Sequence, residues 1–65
     1  MDYVYLLIVD CASWEDIVVF VSKEEAIEAS RQNPNARVEL FYITTQGYRP
    51  TYDYYVNGVY CTHNA

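Results

Sequence analysis

The side chains of this chain that could break or form bonds are few and scattered. Its single histidine, His63, follows Cys61 by two positions, and with Cys11 and Asp10 these groups could offer zinc the sulfur and nitrogen ligands it prefers. No Cys-x-x-Cys pair concentrates them, so Cys61 reads as an ordinary strand residue followed by a frayed end at His63, Asn64 and Ala65. Asp10, Glu15 and Asp16 bracket one short loop, where three carboxylates could hold a cation or act as acid and base. Their spacing lacks the alternating oxygen ligands and central glycine of a calcium loop, and ordinary loop polarity accounts for them. No nucleophile, base and orienting group stand together. The reading is therefore a non-enzymatic protein with no catalytic residue, no metal and no cofactor.

Aromatic side chains are the more telling residues. Eight tyrosines accompany only two phenylalanines and one tryptophan in 65 residues. Trp14, Tyr48, Tyr52, Tyr54, Tyr55 and Tyr60 are too many, and fall on too many faces, to be core together. Tyrosine and tryptophan bring large contact area at low entropy cost and concentrate at interface hot spots. They also close small cores with their hydroxyls left in water, and composition does not choose between these uses. Trp14, Tyr48, Tyr52, Tyr54 and Tyr55 are taken as the partner-contacting set.

Charge narrows the partners. Nine acidic residues against four Lys and Arg give a net charge of −5, with no basic cluster, which disfavours a nucleic-acid partner and an anionic membrane surface. Stacking of bases on a tyrosine platform would need a basic groove that is missing. The longest apolar run is far shorter than the roughly 20 residues of a membrane span, and no basic leader precedes a signal-like core. A soluble intracellular protein is expected, with Cys11 and Cys61 as two reduced thiols. Their pairing stays open if the last strand lies beside the loop holding Cys11.

The elements that must position these groups follow from hydrophobic period. Tyr3–Val9 is uncharged and apolar on both faces, which describes a central strand. Ile17–Val21 is a second such strand, joined to it as an antiparallel hairpin by a loop of about five or six residues. Ser22-Lys23-Glu24-Glu25 matches the capping box, with the Ser22 hydroxyl on the Glu25 amide and the Glu25 carboxylate returning to the Ser22 amide. It predicts a helix from Lys23 to Gln32, ended by Asn33-Pro34, with Ala26, Ile27, Ala29 and Ser30 on a narrow apolar face. Ala36–Ile43 alternates, turning Val38, Leu40 and Tyr42 inward and the charged Arg37 and Glu39 outward, as an edge strand would. Residues 44–51 contain Gly47 and Pro50 and read as a surface loop. Tyr52–Val56 and Val59–Thr62 flank Asn57-Gly58, a strong hairpin signal.

The run Trp14–Ala29, with Ser-Lys-Glu-Glu-Ala-Ile at the helix start, and then Asn33–Glu39 resembles short reading frames of large DNA viruses across the middle half of the chain. The resemblance implies a small virally encoded protein, a minor virion component or one acting in the host cytoplasm. It transfers no functional residue.

The expected fold is a single α+β domain over residues 1–65: a small antiparallel sheet, ordered strand, strand, helix, strand and C-terminal hairpin, with one helix packed on one face. The other face must be covered by a second subunit or by the tyrosine-rich terminal segment. The function expected is protein–protein interaction or assembly, most simply as a homodimer. The alternative is an acidic inhibitor that imitates nucleic acid and occupies a basic groove on another protein.

Overall fold

The computed structural model describes residues 2–9 and 13–62. Five antiparallel strands make one sheet: β1 (Tyr3–Val9), β2 (Val18–Phe20), β3 (Ala36–Thr44), β4 (Gly47–Val56) and β5 (Val59–Cys61), in the spatial order β2-β1-β3-β4-β5. The single α-helix among the described residues, α1 (Lys23–Gln32), connects the edge strand β2 to the middle strand β3. An α+β chain with β1 inside the sheet is what the doubly apolar Tyr3–Val9 run demands.

The helix starts where a side chain can replace a missing backbone partner. The Ser22 Oγ accepts from the Glu25 amide at 3.3 Å, and Glu24 and Glu25 occupy the first turn, at the positive end of the dipole. The reciprocal half of the expected box is different: the Ser22 hydroxyl donates to the neighbouring Glu24 Oε1 at 3.3 Å. At the far end Asn33 Nδ2 donates to the Ala29 carbonyl at 2.8 Å, and Pro34-Asn35 turns the chain into β3.

α1 packs on one face of the sheet through small residues. Ala26 and Ser30 are fully buried, and Tyr5, Val38 and Tyr55 form the core with Ala26. Tyr3, Leu7, Phe20, Ile27 and Leu40 surround that centre. Register explains the grouping, because Tyr5 lies between Phe20 and Leu40, and Val38 between Leu7 and Tyr55. The Ser30 hydroxyl also ties the helix to the last hairpin: it donates to the Ile27 carbonyl at 2.7 Å and accepts from the Gly58 amide at 2.8 Å.

Four expectations are corrected. Strand β2 covers only three residues, and Trp14–Asp16 form a 3₁₀ turn in a connection longer than the expected five or six residues. Strand β3 is central rather than an edge; its outward Arg37 and Glu39 pair with each other at 3.1 Å, and Arg37 lies 5.9 Å from the centre of the Tyr54 ring. The stretch 44–51 is a tight hairpin instead of a loop. Thr44 Oγ1 accepts from the Gln46 amide at 3.1 Å and donates to the Gly47 carbonyl at 2.7 Å, and Gly47 takes φ +106. The terminal hairpin extends the sheet sideways beyond β3 and does not fold across its second face.

The last hairpin turns through Asn57 and Gly58, both at positive φ, 51 and 81, as a two-residue turn between right-twisting strands requires. Between the pairs Glu39–Tyr54 and Phe41–Pro50, Thr51, Tyr52 and Asp53 stand opposite Leu40 alone. Thr51 Oγ1 holds this bulge by donating to the Leu40 carbonyl at 2.9 Å and accepting from the Asp53 amide at 3.1 Å. Tyr52 at its apex takes φ +72, a left-handed conformation that an aromatic residue adopts only at some cost.

Candidate functional site

Alternation along the strands creates a second sheet face that α1 does not touch. Val4, Leu6 and Ile8 of β1 lie on it with their partners Phe41, Glu39 and Arg37, and Val19 of β2 stands opposite Leu6. Ile43 and Tyr48 pair across β3 and β4, and Val56 and Val59 across β4 and β5. Val19, Ile43, Tyr48 and Val59 are exposed, Val59 at 62%. Among the described residues α1 is the only α-helix, and it lies on the opposite side. The result is a broad apolar surface whose sole charged pair, Arg37 with Glu39, is internally matched.

The expected contact residues divide between these environments. Tyr48 and Tyr54 are on the open face, Tyr54 half-buried beneath Arg37. Trp14 is 89% exposed on the 3₁₀ turn, and Tyr52 is exposed at the bulge apex. Tyr55 is 7% exposed because it faces α1, so it belongs to the core and leaves the surface set. Val19, Ile43 and Val59 were not singled out from sequence, although period-two counting along β2, β3 and β5 would have aligned them once the sheet order was known.

A different arrangement lies on the helix side. α1 has ten residues, about 15 Å at 1.5 Å per residue, and starts at Lys23, so it covers only part of the longer sheet. Past its first turn a hollow of about 320 Å³ opens, lined by Tyr3 and Tyr5 of β1, Leu40 of β3, Tyr55 of β4, Tyr60 of β5 and Lys23. The Tyr55 and Tyr60 rings meet edge to face at 5.3 Å between centroids. The Tyr60 hydroxyl donates to Asp53 Oδ2, and this bond pushes its pKa up to about 12. The Tyr5 hydroxyl is also raised above the ordinary tyrosine value, first by burial and then by the proximity of Tyr55, Glu24 and Tyr3. Both phenols are proton donors at neutral pH.

Of the candidate chemical groups, Asp10, Cys11 and His63 lie outside the described residues, and with them any Cys11–Cys61 pairing and the zinc set. Cys61 is half-buried on β5, with its thiol directed to the Val59 carbonyl at 3.6 Å. Asp16 accepts from the Ser13 amide at 3.2 Å, a turn-closing use of one loop carboxylate. Among the described residues no group of three His, Cys, Asp or Glu side chains could hold a metal, and no helix is long and apolar enough to cross a membrane.

The fold and these surfaces define a small α+β protein, a five-stranded antiparallel sheet with a helix on one face and an apolar second face left open. No family model, curated protein or solved structure matches the chain.

Proposed function

We propose that this chain is a non-enzymatic self-association module, in which the open sheet face of one copy packs against that of a second. The observation that carries the reading is the apolar surface of Val4, Leu6, Ile8, Val19, Ile43, Tyr48 and Val59 opposite α1. Five strands about 4.8 Å apart, two of them only three residues long and all rising about 3.3 Å per residue, give a face on the order of 500 Å² in projection. Side-chain relief adds to this, which brings it near the roughly 800 Å² per partner of a standard stable interface. A two-fold arrangement suits the one charged pair on the face, since Arg37 of each copy can reach Glu39 of the other. Tyr48 and Tyr54 supply aromatic anchors within that surface, and Trp14 is exposed on the 3₁₀ turn between β1 and β2.

Light scattering over a concentration series, with thermal unfolding over the same range, tests this directly. A mass rising toward twice 7.6 kDa, and a melting temperature that rises with concentration, are expected. Salt adds a second readout. Two copies each carrying −5 repel, so raising ionic strength should strengthen a homodimer, whereas an acidic mimic seated in a basic groove would be weakened by salt. Val19→Lys places a charge on the open face at an exposed site and should abolish the association without unfolding the monomer. A mass that stays at one chain up to about millimolar concentration, where even a millimolar Kd would show, rejects self-association.

A further inference from the structure

The hollow at the start of α1 is lined by hydroxyl donors, some of which have no acceptor among the described residues. Tyr5 and Tyr55 are each more than nine-tenths buried, yet neither hydroxyl makes a hydrogen bond among the described residues. Every described side-chain oxygen or nitrogen that is sealed from solvent has a partner. These two hydroxyls must therefore reach solvent, and the opening they share is the hollow both rings line. Two hydroxyls that open onto one hollow can turn their O–H groups to a single occupant in place of water, so the hollow suits a polar ligand.

Charge and shape decide the occupant. Lys23 lines the hollow and makes no ion pair among the described residues, which sets it apart from Arg31 and Arg37 with their glutamate partners. The acidic groups nearby direct an oxygen to neutral donors, Glu24 to the Ser22 hydroxyl and Asp53 to the Tyr60 hydroxyl, and keep their charge. What remains unmatched among the described residues is the phenolic O–H groups of Tyr3, Tyr5 and Tyr55 and the Lys23 ammonium, all of them donors, a set that suits an acceptor whose charge the ammonium can meet. The lysine on the rim opposes a quaternary-ammonium ligand, for which the four aromatic rings would otherwise suit. Leu40 and the angled Tyr55 and Tyr60 rings supply apolar walls, and about 320 Å³ lies at the lower end of the roughly 300–1,000 Å³ typical of small-ligand sites.

We propose that this hollow binds a small organic acid, its carboxylate held by the Tyr5 and Tyr55 hydroxyls and the Lys23 ammonium and its apolar body laid against Leu40 and the Tyr3 and Tyr60 rings. The site faces the helix side of the sheet and is independent of the open face proposed for self-association, so either can fail without the other.

Amide chemical-shift titration by NMR tests the site with three probes: benzoate, inorganic phosphate and benzyltrimethylammonium. Saturable shifts centred on Lys23, Leu40, Tyr55 and Tyr60 are expected with benzoate. Phosphate, which has the charge but no apolar body, should bind at least about tenfold more weakly, and the ammonium probe should not bind at the hollow. Tyr5→Phe keeps the ring and removes one donor, and Lys23→Gln removes the charge at an exposed position; each should weaken benzoate about tenfold or more, the scale of a hydrogen bond to a charged group. Both variants should keep the wild-type amide spectrum elsewhere. Absence of saturable benzoate shifts at the hollow, or equal affinity in wild type and both variants, overturns the proposal. Preference for phosphate overturns the organic acid, and binding of the ammonium probe there overturns the anionic assignment.

Discussion

Replacing Ser30 by alanine would break the one side-chain hydrogen bond that, among the described residues, fastens the helix to the last hairpin. Ser30 is fully buried, and its hydroxyl accepts from the Gly58 amide at 2.8 Å while donating to the Ile27 carbonyl at 2.7 Å. The Ile27 carbonyl sits inside the helix ladder, where the amide four residues on is its ordinary partner, so its loss is small. The Gly58 amide has no such reserve. Leaving a buried donor unsatisfied costs about 1–3 kcal/mol, and the half-buried position of Gly58 places the cost in the lower half of that range. Alanine returns up to about 0.5 kcal/mol through its better helix propensity. The net loss is therefore on the order of 1 kcal/mol, which lowers the melting temperature of a domain of this size by about 4–8 °C. Circular dichroism at fixed protein concentration measures it, and hydrogen exchange adds a local check, because protection of the Gly58 amide should fall more than that of the central β1 and β3 amides. A melting temperature equal to or above wild type, with Gly58 still protected, would refute the reasoning: the helix would then be held to the sheet by apolar contact alone.

Two further outcomes follow from the hairpin. Because the Tyr60 pKa is raised to about 12 by its bond to Asp53, the stability from that bond is fully present below the unfolded value of about 10 and is lost as pH climbs to about 12. The melting-temperature gap between wild type and Tyr60→Phe should be constant up to pH 9 and shrink across that window; Tyr5, also raised, titrates in both proteins and cancels. A gap unchanged through pH 12 would show that the bond carries no differential energy. Gly58→Ala should destabilise more than Gly47→Ala, since both residues hold positive φ but a Cβ on Gly58 would stand 2.7 Å from Arg31 Nε and 2.8 Å from its Cγ, while Gly47 faces open space. Equal melting temperatures for the two variants would mean that Arg31 moves aside freely.

What could be read from the sequence was what is decided locally. Ser22, Glu25 and Pro34 bounded α1 correctly because caps and proline act within one turn, and Asn57-Gly58 announced its hairpin because both residues tolerate the required φ. Gly47 and Pro50 misled because the cost of proline in a strand depends on who lies alongside. Strand β5 pairs only with Tyr54–Val56, so at Pro50 the far side of β4 has no paired strand among the described residues and the absent N–H removes no ladder bond there. Arg37 and Glu39 likewise suggested an edge because charge is usually placed there; in the sheet they neutralise one another and Tyr54 takes the guanidinium. Neither outcome can be reached without the strand order.

The candidate sites show the same division more sharply. Alternation correctly separated Tyr54 from Tyr55, but both faces of β1 are apolar, and nothing in the pattern says which one the helix will cover. Only the register brings Tyr5, Val38 and Tyr55 under Ala26, and in doing so turns one tyrosine of the pair into a donor in the hollow and leaves the other on the open face. The bulge in β4 preserves this assignment because it adds two residues, three opposite one, so Pro50 and Tyr54 keep the same side. A bulge of a single extra residue would exchange the faces on one side of it. The strained Tyr52 and the Thr51 bonds that hold it therefore maintain more than a local kink: they keep both tyrosine surfaces in phase across β4.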